Sequence, residues 1–154
     1  SEAISDELEF DPIRVEQVLN NLLSNAIKYT ELGGEVIVHS FLHKKGETLS
    51  VEAKDADVRW FVGESEDRHF REISDCVVVS ITDSGVGMGE SYLKTLFAKF
   101  DKDDIVTHKE QKGKGLGLGL IIVKGIVEAH KGVVGVASKE SEGSTFYFTI
   151  NTKQ

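Results

Sequence analysis

Four glycines alternate with other residues immediately before a helical segment, in GKGLGLGLIIVKGIVEAHKG, where they are Gly113, Gly115, Gly117 and Gly119. Glycine lets a backbone approach a phosphate closely, and the N-terminus of a helix offers free N–H groups and partial positive charge. The pattern is therefore typical of a phosphate-binding loop. A flexible loop that packs closely on a helix would give the same spacing.

Two common nucleotide-binding patterns do not fit this loop. A P-loop would need glycine where His108 stands and Ser or Thr where Gly115 stands. A Rossmann fingerprint would need glycine at Leu118 or Leu120. A phosphate-binding loop of another kind remains open.

A second segment, DSGVGM, places Asp83 directly after the apolar run CVVVSIT. A carboxylate at a strand end can accept a hydrogen bond from an exocyclic amine, such as that of adenine. Gly85 and Gly87 would leave room for a flat ring, and an ordinary Asp-Ser-Gly turn is the alternative. Met88 by itself is more typical of a core residue than of a ligand contact.

A third group lies on the first predicted helix, where Asn21, Asn25 and Lys28 share one ridge at i, i+4 and i+7. An asparagine oxygen is a suitable hard ligand for Mg2+, which also shares phosphate oxygens and keeps several waters. Lys28 could meet the same phosphates. A solvated polar face is the alternative interpretation of this ridge.

The elements that position these groups begin with a helix that Asp11 caps and Pro12 opens. Apolar residues at i, i+3 and i+4 continue it to about Thr30. The run VIVHSFLH (Val36 to His43) and the alternating TLSVEAK after it predict a hairpin. Residues 55–75 carry many charges without sustained periodicity, which indicates an inserted loop.

The second half of the chain predicts the strand CVVVSIT, a helix from Glu90 to Phe100, and a further helix from about Leu118 to Lys131. VVGVAS and STFYFTIN predict two closing strands. Together the elements predict an α+β, two-layer sandwich, with a mixed sheet of about five strands covered on one face by about three helices.

Composition limits the partners of this single predicted domain, residues 1–154. A net charge of −8 argues against nucleic-acid binding, which needs a basic surface. No stretch approaches the roughly 20 apolar residues of a membrane span, and the acidic N-terminus is unlike a secretory signal. We therefore expect a cytoplasmic domain without membrane contact of its own, in a parent protein that can itself be membrane-bound. Cys76 stands alone and leads an apolar run, as a buried, inert thiol does.

Five segments in order resemble the motifs of the ATP-binding catalytic domain of sensor histidine kinases. They are NNLLSNAIKYT (N box), DSGVGM (first glycine box, G1), LFAKF (F box), GKGLGLGL (second glycine box, G2) and EGSTFYF (third glycine box, G3). That family belongs to the GHKL group with gyrase, Hsp90 and MutL, and the resemblance covers about Asp11 to Ile150. It implies the Bergerat fold, with ATP and Mg2+ as cofactors and an ATP lid at residues 101–119.

The resemblance also implies the roles of individual residues. Catalytic roles fall to Asn25, which would coordinate Mg2+, Asn21, which would support the phosphate or metal site, and Lys28, which would contact phosphate. Nucleotide contacts other than those of the lid would come from Tyr29, Asp83, Gly85, Gly87, Met88 and Thr145. Asp83 would bind the adenine amine, and Thr145 would act through a water linking Asp83 to the ring.

The expected lid contacts come from the segment between the F box and the last helix. Main-chain groups there would cover the phosphates, at Gly113, Gly115, Leu116, Gly117 and Leu118. Phe97 and Phe100 match the F box, which anchors one end of the lid. Lys102 stands where many relatives have an arginine, and lysine lacks the bidentate phosphate contact that arginine makes.

The implied activity is transfer of the γ-phosphoryl group of ATP to a histidine on a separate dimerisation domain, in two-component phosphorelay signalling with a downstream receiver domain. Gyrase-like members have a glutamate, the base for water, where this chain has Asn21, and an amide cannot take a proton from water. No histidine here fits the phosphoacceptor pattern, so we expect the dimerisation and receiver domains to be absent from this chain. A gyrase- or Hsp90-like ATPase and a degenerate nucleotide-binding module are the alternatives. The insert resembles the expanded loops of eukaryotic hybrid kinases.

Overall fold

The computed structural model describes residues 10–48, 52, 70–89, 91 and 117–152. Their elements, in chain order, are α1 (Pro12–Tyr29), β1 (Val36–His43), β2 (Cys76–Asp83), α2 (Gly117–Ala129), β3 (Val134–Lys139) and β4 (Gly143–Asn151). No helix in the described ranges is long and apolar enough to cross a membrane.

Helix α1 begins as the sequence predicts. The Asp11 carboxylate accepts hydrogen bonds from the backbone N–H groups of Ile13, at 3.0 Å, and Arg14, at 3.4 Å. Pro12 occupies the first turn, where a missing N–H costs nothing. At the other end the Thr30 hydroxyl donates to the Ala26 carbonyl at 2.6 Å, which satisfies a carbonyl of the last turn. The cap residues therefore fix both ends of the helix.

The four strands form one sheet in the order β1-β2-β4-β3, and each of its three pairings is antiparallel. One face packs against both helices, because the apolar stripe of α1 is buried together with that of α2. The residues of this core include Val18, Leu22, Ala26, Ile81, Leu120, Val123, Val127, Phe146 and Phe148. This is the two-layer arrangement that the element order predicts.

The opposite face carries a second cluster, which we call the back-face cluster: His43, Glu52, Phe70, Cys76 and Tyr147. Phe70 is fully buried and meets the rings of His43 and Tyr147 edge-on, with centroid distances of 4.9 and 5.5 Å. Cys76 is buried and free, as expected, and burial raises the pKa of its thiol to about 12. The thiol is therefore protonated at neutral pH, in keeping with an inert core residue.

The predicted hairpin partner of β1 is wrong for the part that the structure describes. All eight residues of β1 pair with β2, from Val36 opposite Asp83 to His43 opposite Cys76. Glu52 lies in a helical turn, and its N–H donates to the Thr48 carbonyl at 3.1 Å. Its side chain reaches back to His43, a tertiary contact that overrides the local alternation of TLSVEAK. The other residues of 49–54 lie outside the described ranges.

Other predictions are met only in part. The elements bounded within the described residues are two helices and four strands, so the expected third helix and fifth strand are not confirmed there, and the sheet is antiparallel where a mixed sheet was predicted. Of the helix expected from Glu90 to Phe100, the structure describes Ser91 alone, which is helical. Residues 55–69 of the predicted insert lie outside the described ranges.

Candidate functional site

The carboxyl group of Asp83 is buried at the end of β2, with only 6% of the residue exposed. Its Oδ1 accepts a hydrogen bond from the Gly85 N–H at 2.9 Å, and the backbone of Ser144 donates to the same carboxyl group. Burial raises the pKa of Asp83, and these two hydrogen bonds oppose that rise without cancelling it. The Asp83 carboxyl group is therefore a hydrogen-bond acceptor shielded from water, and burial disfavours its charged form.

The loop after Asp83 (residues 84–89) passes between the C-terminal end of α1 and the β3–β4 hairpin. A Cβ on Gly85 would lie 2.4 Å from the Tyr29 carbonyl oxygen, so only glycine fits against α1. Gly87 has φ of +66°, and a Cβ there would lie 2.0 Å from the Lys139 carbonyl oxygen. Backbone packing therefore requires glycine at both positions. This packing places Asp83 between the helix layer and the β3–β4 hairpin.

Asn25 faces the first turn of α2. Its Nδ2 atom is buried without a hydrogen-bond partner and lies 3.8 Å from the position that a Cβ would take on Gly119. An unsatisfied buried amide costs about 1 to 3 kcal/mol, so native proteins seldom keep one without a reason. The site residue Asn25 thus presents unused hydrogen-bonding capacity beside the first turn of α2.

The other polar ridge residues of α1 are more open. Asn21 is half-buried one turn before Asn25, and Lys28 is exposed. The Lys28 ammonium lies 5.7 Å from the centre of the Tyr29 ring, which is close enough for a cation–π contact. Tyr29 packs at the edge of the main core, and burial raises the pKa of its hydroxyl. Near its C-terminus, α1 therefore carries an amide (Asn25), an ammonium (Lys28) and an aromatic ring (Tyr29).

Met88 packs at the edge of the main core. Its backbone N–H donates to the Ser138 hydroxyl at 2.8 Å, which ties the loop after Asp83 to β3. The packing agrees with the interpretation of Met88 as a core residue, and its predicted contact with a nucleotide stays a prediction.

The structure corrects the position of Thr145. Its side chain is fully buried, and its hydroxyl lies 2.9 Å from that of Thr82, its partner on β2. Cross-strand partners share a face of the sheet and successive residues alternate, so Thr145 lies on the face opposite to Asp83. Ser144 is the partner of Asp83 in this register. Ser144 could not be identified from local sequence, because the register between β2 and β4 decides which hydroxyl accompanies the carboxyl group.

Five of the predicted site residues lie outside the described residues: Phe100, Lys102, Gly113, Gly115 and Leu116. Gly117 and Leu118 open α2, one residue before the start that the sequence predicts. The described part of the site thus consists of the end of α1, the loop after Asp83, the start of α2 and the β3–β4 hairpin.

Comparison with known proteins gives the class of the chain. Residues 10–154 match the family described as histidine kinase-, DNA gyrase B-, and HSP90-like ATPases. The chain belongs to this family, and its fold is of the corresponding α+β type.

Two relatives of the chain are themselves kinases. Histidine kinase 5 of Arabidopsis thaliana is 35% identical over 147 residues, which cover 96% of this chain and 15% of that kinase. The adaptive-response sensory kinase SasA of Synechococcus elongatus is 33% identical over 140 residues, which cover 91% of this chain and 28% of that kinase. The chain therefore spans less than a third of the length of these relatives.

Solved structures agree with this classification. The nucleotide-free catalytic domain of histidine kinase ThkA superposes with a TM-score of 0.57 at 25% identity, covering 94% of this chain and 70% of that one. Full-length ShkA in complex with AMPPNP gives a TM-score of 0.55 at 25% identity, covering 91% of this chain and 22% of that one.

Proposed function

We propose that this chain is the catalytic domain of a sensor histidine kinase, which binds Mg-ATP between α1, the loop after Asp83 and the start of α2. The observation that carries the proposal is the buried, unpartnered amide nitrogen of Asn25. This nitrogen lies on α1 beside the first turn of α2, and a ligand would satisfy it.

The residues present fit a phosphate-bound metal. Turning the Asn25 amide by 180° exchanges its nitrogen and oxygen, so the same place can donate to a phosphate or offer an oxygen to Mg2+. In the described part of the chain, no three His, Cys, Asp or Glu side chains gather as a metal site. Mg2+ suits such a place because it often takes one or two protein ligands and completes its shell with phosphates and water.

Three side chains would hold the phosphate end in this proposal. Asn25 would be the metal ligand, Asn21 would support it from one turn away, and Lys28 would pair with a phosphate. When bound, Mg2+ would neutralise charge on the phosphoryl group that is transferred. Main-chain N–H groups of the lid segment and of the first turn of α2 would complete the phosphate contacts.

The base end would be formed by Asp83, with Gly85 and Gly87 holding its loop in place. The carboxylate accepts hydrogen bonds and cannot donate them, so it favours a base that presents an amine, as adenine does. Tyr29 and Met88 would line the walls. Ser144, instead of Thr145, would supply the hydroxyl beside Asp83.

The acceptor in this proposal is a histidine on a dimerisation domain of the parent protein, and a receiver domain accepts the phosphoryl group afterwards. Asn21 supports this choice, since an amide cannot activate water as a glutamate would at that position. The relatives named as sensor kinases support it as well. We place the domain in the cytoplasm, where ATP is available.

A transfer assay tests the proposal. The chain is mixed with Mg-ATP and a histidine-bearing dimerisation domain, including that of the parent protein, and acid-labile phosphohistidine is measured. We expect phosphohistidine with the wild type and little with Asn25→Asp or Asp83→Asn, while Ser40→Ala, at an exposed position on β1, serves as the unaffected control.

Other outcomes would contradict the proposal. Steady hydrolysis of ATP by the chain alone would favour a gyrase-like ATPase. Absence of Mg-ATP binding by the folded wild type would indicate a degenerate module.

A further inference from the structure

Two serine hydroxyls meet beside the Asp83 carboxyl group. Ser138 on β3 and Ser144 on β4 are cross-strand partners, and their hydroxyl oxygens lie 2.6 Å apart. Ser144 is also the partner of Asp83 across β2, and its backbone donates to the Asp83 carboxyl group. Because cross-strand partners share a face, all three side chains lie on the same face of the sheet.

Counting hydrogens fixes the direction of these hydrogen bonds. The Ser138 hydroxyl oxygen accepts from the Met88 N–H at 2.8 Å and donates to the Gly143 carbonyl at 2.8 Å. A serine has one hydroxyl hydrogen, and a carbonyl can only accept. The Ser138 hydroxyl donates its hydrogen to the Gly143 carbonyl. The short contact between the two serines therefore requires the Ser144 hydroxyl to donate to the Ser138 oxygen. The Ser144 oxygen then has only lone pairs left for any further partner.

From this network we propose that Ser138 is a positioning residue, which fixes the Ser144 hydroxyl as a hydrogen-bond acceptor beside Asp83. Asp83 and Ser144 then both present acceptors to the base, and this pair selects a purine with an amine at C6 over one with a carbonyl there. This inference rests on the proposed function, since it assumes that the base of ATP lies at Asp83.

The fold does not depend on Ser138 alone to hold the loop after Asp83. The Ser141 N–H donates to the Val86 carbonyl at 2.7 Å, a second link between the hairpin and the loop. Ser84 and Glu35 exchange two further hydrogen bonds, of 3.0 and 2.8 Å, at the start of the loop. Removal of the Ser138 hydroxyl should therefore free the Ser144 hydroxyl to rotate without releasing the loop.

The test compares ATP with inosine triphosphate, which has a carbonyl in place of the amine at C6. Dissociation constants for both are measured by titration calorimetry with Mg2+. In Ser138→Ala the freed Ser144 hydroxyl can donate to that carbonyl, so we expect the preference for ATP to fall roughly three- to tenfold, the effect of about one hydrogen bond. Threonine keeps the hydroxyl and is favoured in strands, so Ser138→Thr should show the same preference for ATP as the wild type.

Ser80→Ala is the matched control. It removes the same atom from a fully buried serine on the other face of the sheet, whose hydroxyl donates to the His39 carbonyl at 3.4 Å. Its preference for ATP should equal that of the wild type, even where its unfolding temperature is lower.

The outcomes separate this inference from the proposed function. If the wild type binds no ATP, the proposed function fails and this inference fails with it. If the wild type prefers ATP and folded Ser138→Ala keeps the full preference, the inference is wrong and the proposed function stands. Should Ser138→Ala not fold, Ser144→Ala takes its place. Loss of the acceptor there should lower the preference, and an unchanged preference would overturn the inference.

Discussion

The two faces of the sheet each bury a polar cluster, and the two clusters differ in how completely their groups are paired. In the back-face cluster His43 contacts the Glu52 carboxylate through Nδ1 and the Ile73 carbonyl, at 3.1 Å, through Nε2. The second oxygen of Glu52 accepts from the Lys44 N–H at 2.8 Å. On the helix-covered face Asn25 keeps an unpartnered buried nitrogen, and burial raises the pKa of Asp83.

The degree of internal pairing distinguishes structural polar groups from those of a binding site. Internal partners compensate the desolvation of the polar groups in the back-face cluster, so removing one of these partners should lower stability. The groups of the other face remain partly uncompensated, and a ligand can supply what is missing. Changes in the back-face cluster should lower stability without weakening binding, and changes at Asn25 or Asp83 should weaken binding without lowering stability.

The largest effect on stability is expected for His43→Ala. The substitution removes a buried ring and leaves one oxygen of the Glu52 carboxylate without its side-chain partner, so the cavity and the lost hydrogen bond together cost about 3 kcal/mol or more of unfolding free energy. Urea denaturation measures the loss. His39→Ala, on the same strand but half-buried, should cost less than about 1 kcal/mol. A loss of ATP affinity in folded His43→Ala would contradict the division between the two faces.

The next largest effect is expected for Asp83→Asn, this time on binding. The amide replaces a charged acceptor with a neutral one, and hydrogen bonds to charged groups contribute about 1.5 to 3 kcal/mol, so ATP should bind roughly 10- to 100-fold more weakly. Calorimetric titration gives the affinity, and thermal unfolding should show a fold at least nearly as stable as the wild type. Unchanged affinity would mean that Asp83 does not contact the base.

A smaller effect of opposite sign is expected for the stability of Asn25→Ala. The substitution removes an unsatisfied buried amide, so it should raise the free energy of unfolding by about 1 kcal/mol while weakening Mg-dependent ATP binding. Asn20→Ala is the matched control, because Asn20 is exposed on the same helix and reports helix propensity alone. If both variants gain the same stability, the Asn25 amide is already satisfied in solution.

The smallest expected effect is a difference in pH dependence. The folded pKa of Asp83 lies above its ordinary value of 3.8, so the folded state holds this proton more tightly than the unfolded state does. Stability from this group is therefore present at low pH and is lost as pH rises through the raised pKa. Asp83→Asn does not lose this stability, so its unfolding temperature should rise relative to that of the wild type between about pH 3 and pH 7. Parallel curves for the two proteins would refute the raised pKa.

Local patterns were sufficient for much of the fold. The Asp11 cap, the buried stripe of α1 and the strand before Asp83 depend on neighbours within a few residues, and the structure has each where the sequence predicts it. The partner of β1 could not be found in this way. The alternation in TLSVEAK favours a strand, but Glu52 is held in a helical turn by a contact with His43 across the back face.

For the candidate site, the sequence was enough to predict the residue types: a carboxylate followed by two glycines, two amides and an ammonium on one helix ridge, and glycines before α2. It also determined the family, because motif order is a property of the chain. The pairing of Asp83 with Ser144 instead of Thr145, and the lack of a partner for the Asn25 nitrogen, depend on tertiary contacts. Strand register and the packing of α1 on α2 set those contacts, and both arise from residues far apart in the chain.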